Sequence, residues 1–232
     1  MQKTSNVSDS APNSCATQQH GPLSGPSGRA FDVVAMAASL GGLDALSCVL
    51  GALPPDFPMP VLVVQHLSAR HPSHLVELLG RRCSLTVTWA CHGQFLRPGM
   101  IYIAPPDRHL LASRARMVRL AQTPHVEFVR PSADVLFESV AAVYRARAIA
   151  VVLTGTRRDG ARGAGAIKRA GGRVLVQDEA TCAAFGMPQA AIAAGCVDFA
   201  LPLPAVAPAL VALTMVPGAA ALLDRSSRVA IR

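Results

Sequence analysis

Ser39, His66 and Asp159 are the residues of this 232-residue chain whose types and placement could together perform acyl transfer. Each stands just past an apolar run of strand length. Ser39 follows FDVVAMAA and leads into Gly41 and Gly42, His66 closes VLVVQH, and Asp159 lies in TRRDG after AIAVVLTG. A serine hydroxyl is a weak nucleophile at its own pKa and needs a base to take its proton. An imidazole serving as that base needs a carboxylate to hold its tautomer and orientation. Singly, each residue has a plainer role, because serine often caps a helix, a lone histidine is more often structural, and Asp-Gly usually makes a turn. Jointly they carry more weight, because all three close buried strands at what should be one sheet edge. There the loops and helix N-termini of a parallel sheet converge on one crevice. Ser39 also sits on a strand-to-helix turn, where glycines allow a tight bend and helix amides can stabilise an oxyanion. The chain order Ser, His, Asp and the AASLGG turn match neither the order nor the G-x-S-x-G elbow of α/β-hydrolases.

The elements that must position these residues alternate between strand-length apolar runs and helical patterns. FDVVAMAA precedes GLDALSCVLGAL, and PVLVVQHL precedes SHLVELLGRRC. After PSADVLFESVAAVYRAR, an amphipathic helix, the rhythm returns with RAIAVVLTG, GAGAIKRA, RVLVQD and VDFALPL. Such alternation implies an α/β fold with a doubly wound, mostly parallel sheet and helices on both faces. Residues 85–122 break the rhythm with LTVTWA, MIYIA, HLLAS and MVRLA, separated by turn residues, and are expected to form an antiparallel hairpin insert. Residues 1–29 are polar, rich in Ser, Gln, Pro and Gly, and are expected to be a flexible leader. The domain should span 30–215, with a C-terminal tail at 216–232.

Composition narrows the function. Half the residues are apolar (51%) and 16% are charged, which suits a sheet buried on both faces. The net charge of +8 comes with only 4% aromatic residues, so stacking platforms for single-stranded nucleic acid are scarce, and the charge is expected to face an acidic protein or to form a solvated face. The six cysteines show no C-x-x-C pair and are expected to be free thiols in a reducing cytoplasm. The N-terminus has no apolar core of the signal-peptide kind, so a cytoplasmic location is expected. Phe199 to Leu223 is uncharged and of membrane-spanning length, but four prolines interrupt it. A strand, a proline-rich turn and a short helix are expected there instead. A zinc site from His66, His71 and His74 lacks an acidic or cysteine partner at metal-site spacing, and GARGAG at 160–165 fits neither dinucleotide nor P-loop spacing. No metal, cofactor or nucleic acid is therefore implied, and a monomer is expected.

Six collinear blocks carry a resemblance to a known family: AASLGG (37–42), VVQH (63–66), YIAPPDRHL (102–110), RPSADVLF (130–137), LTGTRRDG (153–160) and DEATCAAFGMPQAAI (178–192). Over 32–213 the chain resembles the catalytic domain of the bacterial chemotaxis protein-glutamate methylesterases, the CheB family. The resemblance implies a Ser39, His66, Asp159 triad and hydrolysis of γ-methyl glutamate esters on methyl-accepting chemoreceptors, with deamidation of receptor glutamines as a further activity. It also implies oxyanion donors at the backbone amides of Leu40 and Thr156. Four positions depart from the family pattern: Ala37 for glycine, Leu40 for a small or hydroxylic residue, and Thr156 and Arg157 for Met-Gly. If that glycine position uses a positive φ, Arg157 costs on the order of 1 kcal/mol there. A module that kept the fold and weakened the activity is the alternative. The family's common form also carries an N-terminal receiver domain, which needs about a hundred residues or more. Only about 30 residues precede the first strand here, so control by phosphorylation in cis is not expected.

Overall fold

The computed structural model describes residues 30–67, 73–216 and 218–219; the expected leader and nearly all of the expected tail lie outside them. In chain order the strands are β1 (Val33–Ala38), β2 (Val61–Gln65), β3 (Thr86–Trp89), β4 (Met100–Ile103), β5 (His109–Ala112), β6 (Val118–Ala121), β7 (Ala148–Val152), β8 (Arg173–Gln177) and β9 (Phe199–Leu201). The helices are α1 (Gly42–Gly51), α2 (Leu75–Gly80), α3 (Ala133–Tyr144), α4 (Ala161–Arg169), α5 (Gly186–Ala193) and α6 (Leu203–Met215).

Seven strands form one parallel sheet in the order β3-β4-β2-β1-β7-β8-β9. Strand order reverses at β1, with β2 on one side and β7 on the other, which is where an open α/β sheet opens its ligand crevice. Every residue of β1, β2 and β7 is buried, as near-continuous apolar runs require of strands covered on both faces. Alternate side chains serve opposite layers. Val33, Ala35, Ala37, Leu62 and Val64 pack with Leu136, Phe137, Ile167 and Met187 of α3, α4 and α5. Val34, Met36, Ala38, Val61 and Val63 pack with Leu46, Leu79 and Leu210 of α1, α2 and α6.

Three expectations need correction. The antiparallel element is smaller than the sequence suggested, because only β5 and β6 form a hairpin while β3 and β4 extend the parallel sheet. MIYI is apolar at consecutive positions and is almost wholly buried, which suits a strand covered on both faces better than a hairpin arm. The connection between β3 and β4 is held by the hairpin: Gly93 N–H donates to Val118 O at 2.9 Å and Leu96 N–H to Arg116 O at 2.8 Å. Among the described residues β9 passes to α6 through Pro202 alone, with no longer proline-rich turn between them. Pro204 lies in the first turn of the 13-residue α6, where its missing N–H would have no helical partner, and Pro208 lies inside the helix. No helix among the described residues is long and apolar enough to cross a membrane. Among the cysteines, Cys48, Cys83, Cys182 and Cys196 are free, but Cys91, half-buried just past β3, is disulfide-bonded. The segment 178–192, recognised only as a motif, contains α5, whose short apolar turn of helix shows too little periodicity to stand out.

Candidate active site

Ser39 is the first residue beyond β1 and is half-buried. Its backbone is pinned from two neighbouring strands. Ser39 N–H donates to Thr154 O past the end of β7 at 2.9 Å, and Ser39 O accepts from Gln65 Nε2 at the end of β2 at 2.8 Å. Gly41, not Ser39, is the N-cap of α1, and no side chain caps that helix, so the capping role open to this serine in sequence is not the one it has. Gly41 adopts φ 75, and a Cβ there would lie 2.6 Å from Ala183 Cβ; only glycine meets both demands. The amides of Leu40 and Gly41 make no hydrogen bond among the described residues and stand at the start of α1, where the helix dipole favours negative charge.

His66 directly follows β2, and its Nε2 lies 2.8 Å from Asp159 Oδ2. With Nε2 donating to the carboxylate, Nδ1 is the ring atom left to take a proton. Ser39, Leu40, Gly41, Gly42, Gln65 and His66 line one open cleft of about 430 Å³. The Ser39 hydroxyl makes no hydrogen bond among the described residues, a looseness common before substrate completes a site.

Asp159 is 1% exposed and is held on all sides. Its Oδ1 accepts from Ser132 Oγ at 2.7 Å and Asp134 N at 3.1 Å, and its Oδ2 accepts from Ala133 N at 2.6 Å besides His66. Burial raises its pKa, but the hydrogen bonds from His66, Ser132 and Ala133 together outweigh that and hold it below the ordinary carboxylate value. The carboxylate therefore sits ionised on the N-terminus of α3. Asp134, in the first turn of α3, returns the arrangement: its Oδ1 accepts from Gly160 N at 3.0 Å and Gly163 N at 2.8 Å at the start of α4. Burial, aided by the Asp159 charge, pushes Asp134 up.

The sequence did not single out four supporting residues. His109 is fully buried, and its Nδ1 accepts from Ser132 N–H at 3.2 Å while Nε2 meets Pro124 O at 3.1 Å, which makes it a neutral ring with the proton on Nε2. Thr154 Oγ1 contacts Leu40 O and accepts from Ala184 N, both at 2.9 Å, tying the nucleophile turn to the segment before α5. Gln177 Oε1 accepts from Thr154 N at 2.9 Å. Gln65 bridges the Ser39 and His66 carbonyls through Nε2, at 2.8 and 3.2 Å. His109, Thr154 and Gln65 stand in the matching blocks and Gln177 just before one, but a buried amide or threonine in an apolar run looks the same whether it supports a site or a sheet.

Thr156 is exposed and does not line the cleft that holds Ser39 and His66. It follows Gly155, where a Cβ would come within 2.9 Å of Ser39 Cβ, so its loop does run past the nucleophile. Its amide has no partner among the described residues. Arg157 adopts φ 67, the condition under which a non-glycine residue is strained here. Of the histidines weighed for zinc, His66 is turned to Asp159, His74 pairs with Glu77 at 2.9 Å, and His71 lies outside the described residues.

Comparisons with known proteins place the chain in a family. A family model described as CheB methylesterase matches residues 34–210. A protein-glutamate methylesterase/protein-glutamine glutaminase of Anaeromyxobacter dehalogenans is 47% identical over 183 residues, which are 79% of this chain and 53% of that protein. A putative protein-glutamate methylesterase/protein-glutamine glutaminase of Leptospira interrogans is 37% identical over 76% of this chain and 92% of its own. The crystal structure of the Thermotoga maritima CheB methylesterase catalytic domain superposes with a TM-score of 0.76 at 35% identity, covering 79% of this chain and 99% of that one. The chain spans about half the length of the Anaeromyxobacter and Moorella thermoacetica relatives, at 53% and 44% of their lengths. With a family match across the sheet and both helical layers, the chain belongs to the CheB methylesterase family.

Proposed function

We propose that this protein is a cytoplasmic serine hydrolase that removes γ-methyl esters from glutamates of methyl-accepting chemoreceptors, releasing methanol. The observation that carries the reading is the 2.8 Å contact between a buried, ionised Asp159 and Nε2 of His66, which lines one cleft with Ser39. Ser39 Oγ attacks the side-chain carbonyl carbon while His66 Nδ1 takes its proton. The amides of Leu40 and Thr156 are the donors proposed for the oxyanion that forms. His66 then passes its proton to the departing methoxide, and methanol leaves an acyl-enzyme. Water enters, gives a proton to Nδ1 and attacks the acyl carbon, and His66 returns that proton to Ser39 Oγ as the acyl bond breaks, which restores the serine and frees the glutamate. Throughout, Asp159 holds the ring and stabilises its charged form without taking the proton itself. A glutamine side chain fits the same sequence with ammonia as the leaving group, which is the second activity in the relatives' names. Methanol and ammonia release from a methylated receptor fragment, compared between the wild-type chain and Ser39→Ala, tests the reading. Release that persists in Ser39→Ala overturns it.

A further inference from the structure

A second groove, of about 590 Å³, runs along α4 and is lined by Arg158, next to Asp159 in the chain, and by Asp134, whose amide donates to Asp159. Arg158, Arg162 and Arg169 line one wall, and Ala190, Ala193 and Ala194 at the C-terminal end of α5 line the other. All three arginines are exposed. Arg162 pairs with Glu138 at 2.7 Å and lies 3.9 Å from Asp134, whereas Arg158 and Arg169 have no ion pair among the described residues. Two carboxylates also face the groove. Asp134 is buried and occupied by the Gly160 and Gly163 amides, and Glu127 is exposed at the mouth. The small residues opposite the arginines let another chain approach closely.

Glu127 belongs to a tight turn in which Val126 N–H donates to Val129 O at 3.1 Å and Val129 N–H to Val126 O at 3.0 Å. Its two central residues, Glu127 and Phe128, adopt φ 50 and 66, where Asn and Gly are favoured and a bulky side chain is strained. That strained turn presents Phe128 to solvent at 83% exposure. The Arg157 guanidinium lies 5.7 Å from the centroid of its ring, and Arg157 is itself at φ 67. Two residues with left-handed backbone, Phe128 and Arg157, thus meet beside the loop that carries Asp159. Strain of this kind persists where a fold imposes it and gathers at ligand clamps. Aromatic residues and arginine are both enriched in protein interfaces relative to the rest of the surface.

We propose that the Phe128–Arg157 lip and the arginine groove are a docking surface for an acidic helical segment of the substrate protein. The inference rests on the reading above that the ester is carried by a protein. Arg162 and Arg169 are seven residues apart on one face of α4, about 10.5 Å along its axis, so a helix laid along α4 meets them with acidic side chains seven residues apart. Phe128 then grips the end nearest the triad, and the ester enters the cleft at Ser39.

The test uses the full chain and two synthetic helical peptides carrying one γ-methyl glutamate. One has glutamates seven residues apart, and the other has glutamines in their place. Binding is read by fluorescence anisotropy in a Ser39→Ala background. The acidic peptide is expected to bind more tightly than the neutral one. Arg158→Glu with Arg169→Glu should raise its Kd about tenfold or more, and Phe128→Ala about fivefold or more. In the active chain the charge reversal should raise KM for the acidic ester by the same factor, with kcat held within about twofold. Hydrolysis of p-nitrophenyl acetate, too short to reach the groove, reports on the triad alone. Where circular dichroism shows that charge reversal unfolds the protein, the Arg158→Gln, Arg169→Gln pair takes its place, with an expected rise in Kd of about threefold. Unchanged Kd in these variants, or equal losses on peptide and small ester, overturns the docking surface. Absent methanol release with an altered Kd series overturns the esterase reading and leaves the surface standing.

Discussion

At the scale of single residues, His66 sets the pattern, because one ring nitrogen is bound to Asp159 and the other is left for chemistry. Ser39→Ala and His66→Ala should each abolish most turnover of a small ester, and the double variant should lose little more, since members of a triad act as one unit. Losses that multiply would show independent roles. Asp159→Asn should lower kcat by about ten-thousandfold by presenting the wrong hydrogen-bond partner to Nε2. The ionised state of Asp159 also has a folding consequence. Its pKa is held down in the fold, so its contribution to stability is complete above the ordinary aspartate value of about 4 and disappears as pH falls through the lower folded value. Acid titration of stability should show this component in the wild-type chain and not in Asp159→Asn. Arg157 adds a prediction of its own. Thr156→Met with Arg157→Gly relieves the left-handed strain, and small-ester turnover should rise; unchanged turnover would mean that the loop is already adapted. The proposed triad was readable because its three residues end apolar runs. Ser132 and His109 were not, since a hydroxyl that caps α3 while binding Asp159 acquires its second role only through a contact 27 residues away.

At the scale of elements, α3 and α4 are joined by exchange of caps: Asp159, just before α4, receives amides of α3, and Asp134 of α3 receives amides of α4. Asp134→Ala leaves the Gly160 and Gly163 amides buried and unpaired, at a cost of about 1–3 kcal/mol in chemical denaturation. Asp134→Asn keeps an acceptor oxygen and should recover most of that loss. Because burial and the Asp159 charge raise the Asp134 pKa, the wild-type group contributes less as pH rises through that raised value, so the Asn variant should compare best at neutral pH. Equal destabilisation by both substitutions would deny the capping role. The strands and most helices were legible because apolar runs and helical periods alternate. β3 and β4 were not assigned correctly, because short strands around RPG satisfy the pattern of a hairpin as well as that of two parallel neighbours. What decides between them is the bracing of the 90–99 connection by β5 and β6, a tertiary fact.

At the scale of the whole molecule, the reversal of strand order at β1 brings Ser39 and His66 into one crevice, and the β7–α4 loop delivers Asp159 to it. The chain carries a net charge of +8, which as a long-range field favours an acidic partner. Raising salt from about 0.05 M to about 0.5 M should lower kcat/KM for an acidic peptide ester severalfold and leave a neutral small ester nearly unaffected, because the Debye length shrinks below the size of the site. The same response from both substrates would remove any role for steering. The mutual capping of α3 and α4 also bears on inheritance. The carboxylate that orients His66 is the same one that closes the N-terminus of α3, so selection for a sound fold protects it whether or not the enzyme is needed. Ser39 has no comparable duty for its hydroxyl among the described residues. A descendant released from catalysis would therefore drift first at the nucleophile and keep its aspartate, leaving a dead enzyme that still carries the carboxylate of its former triad.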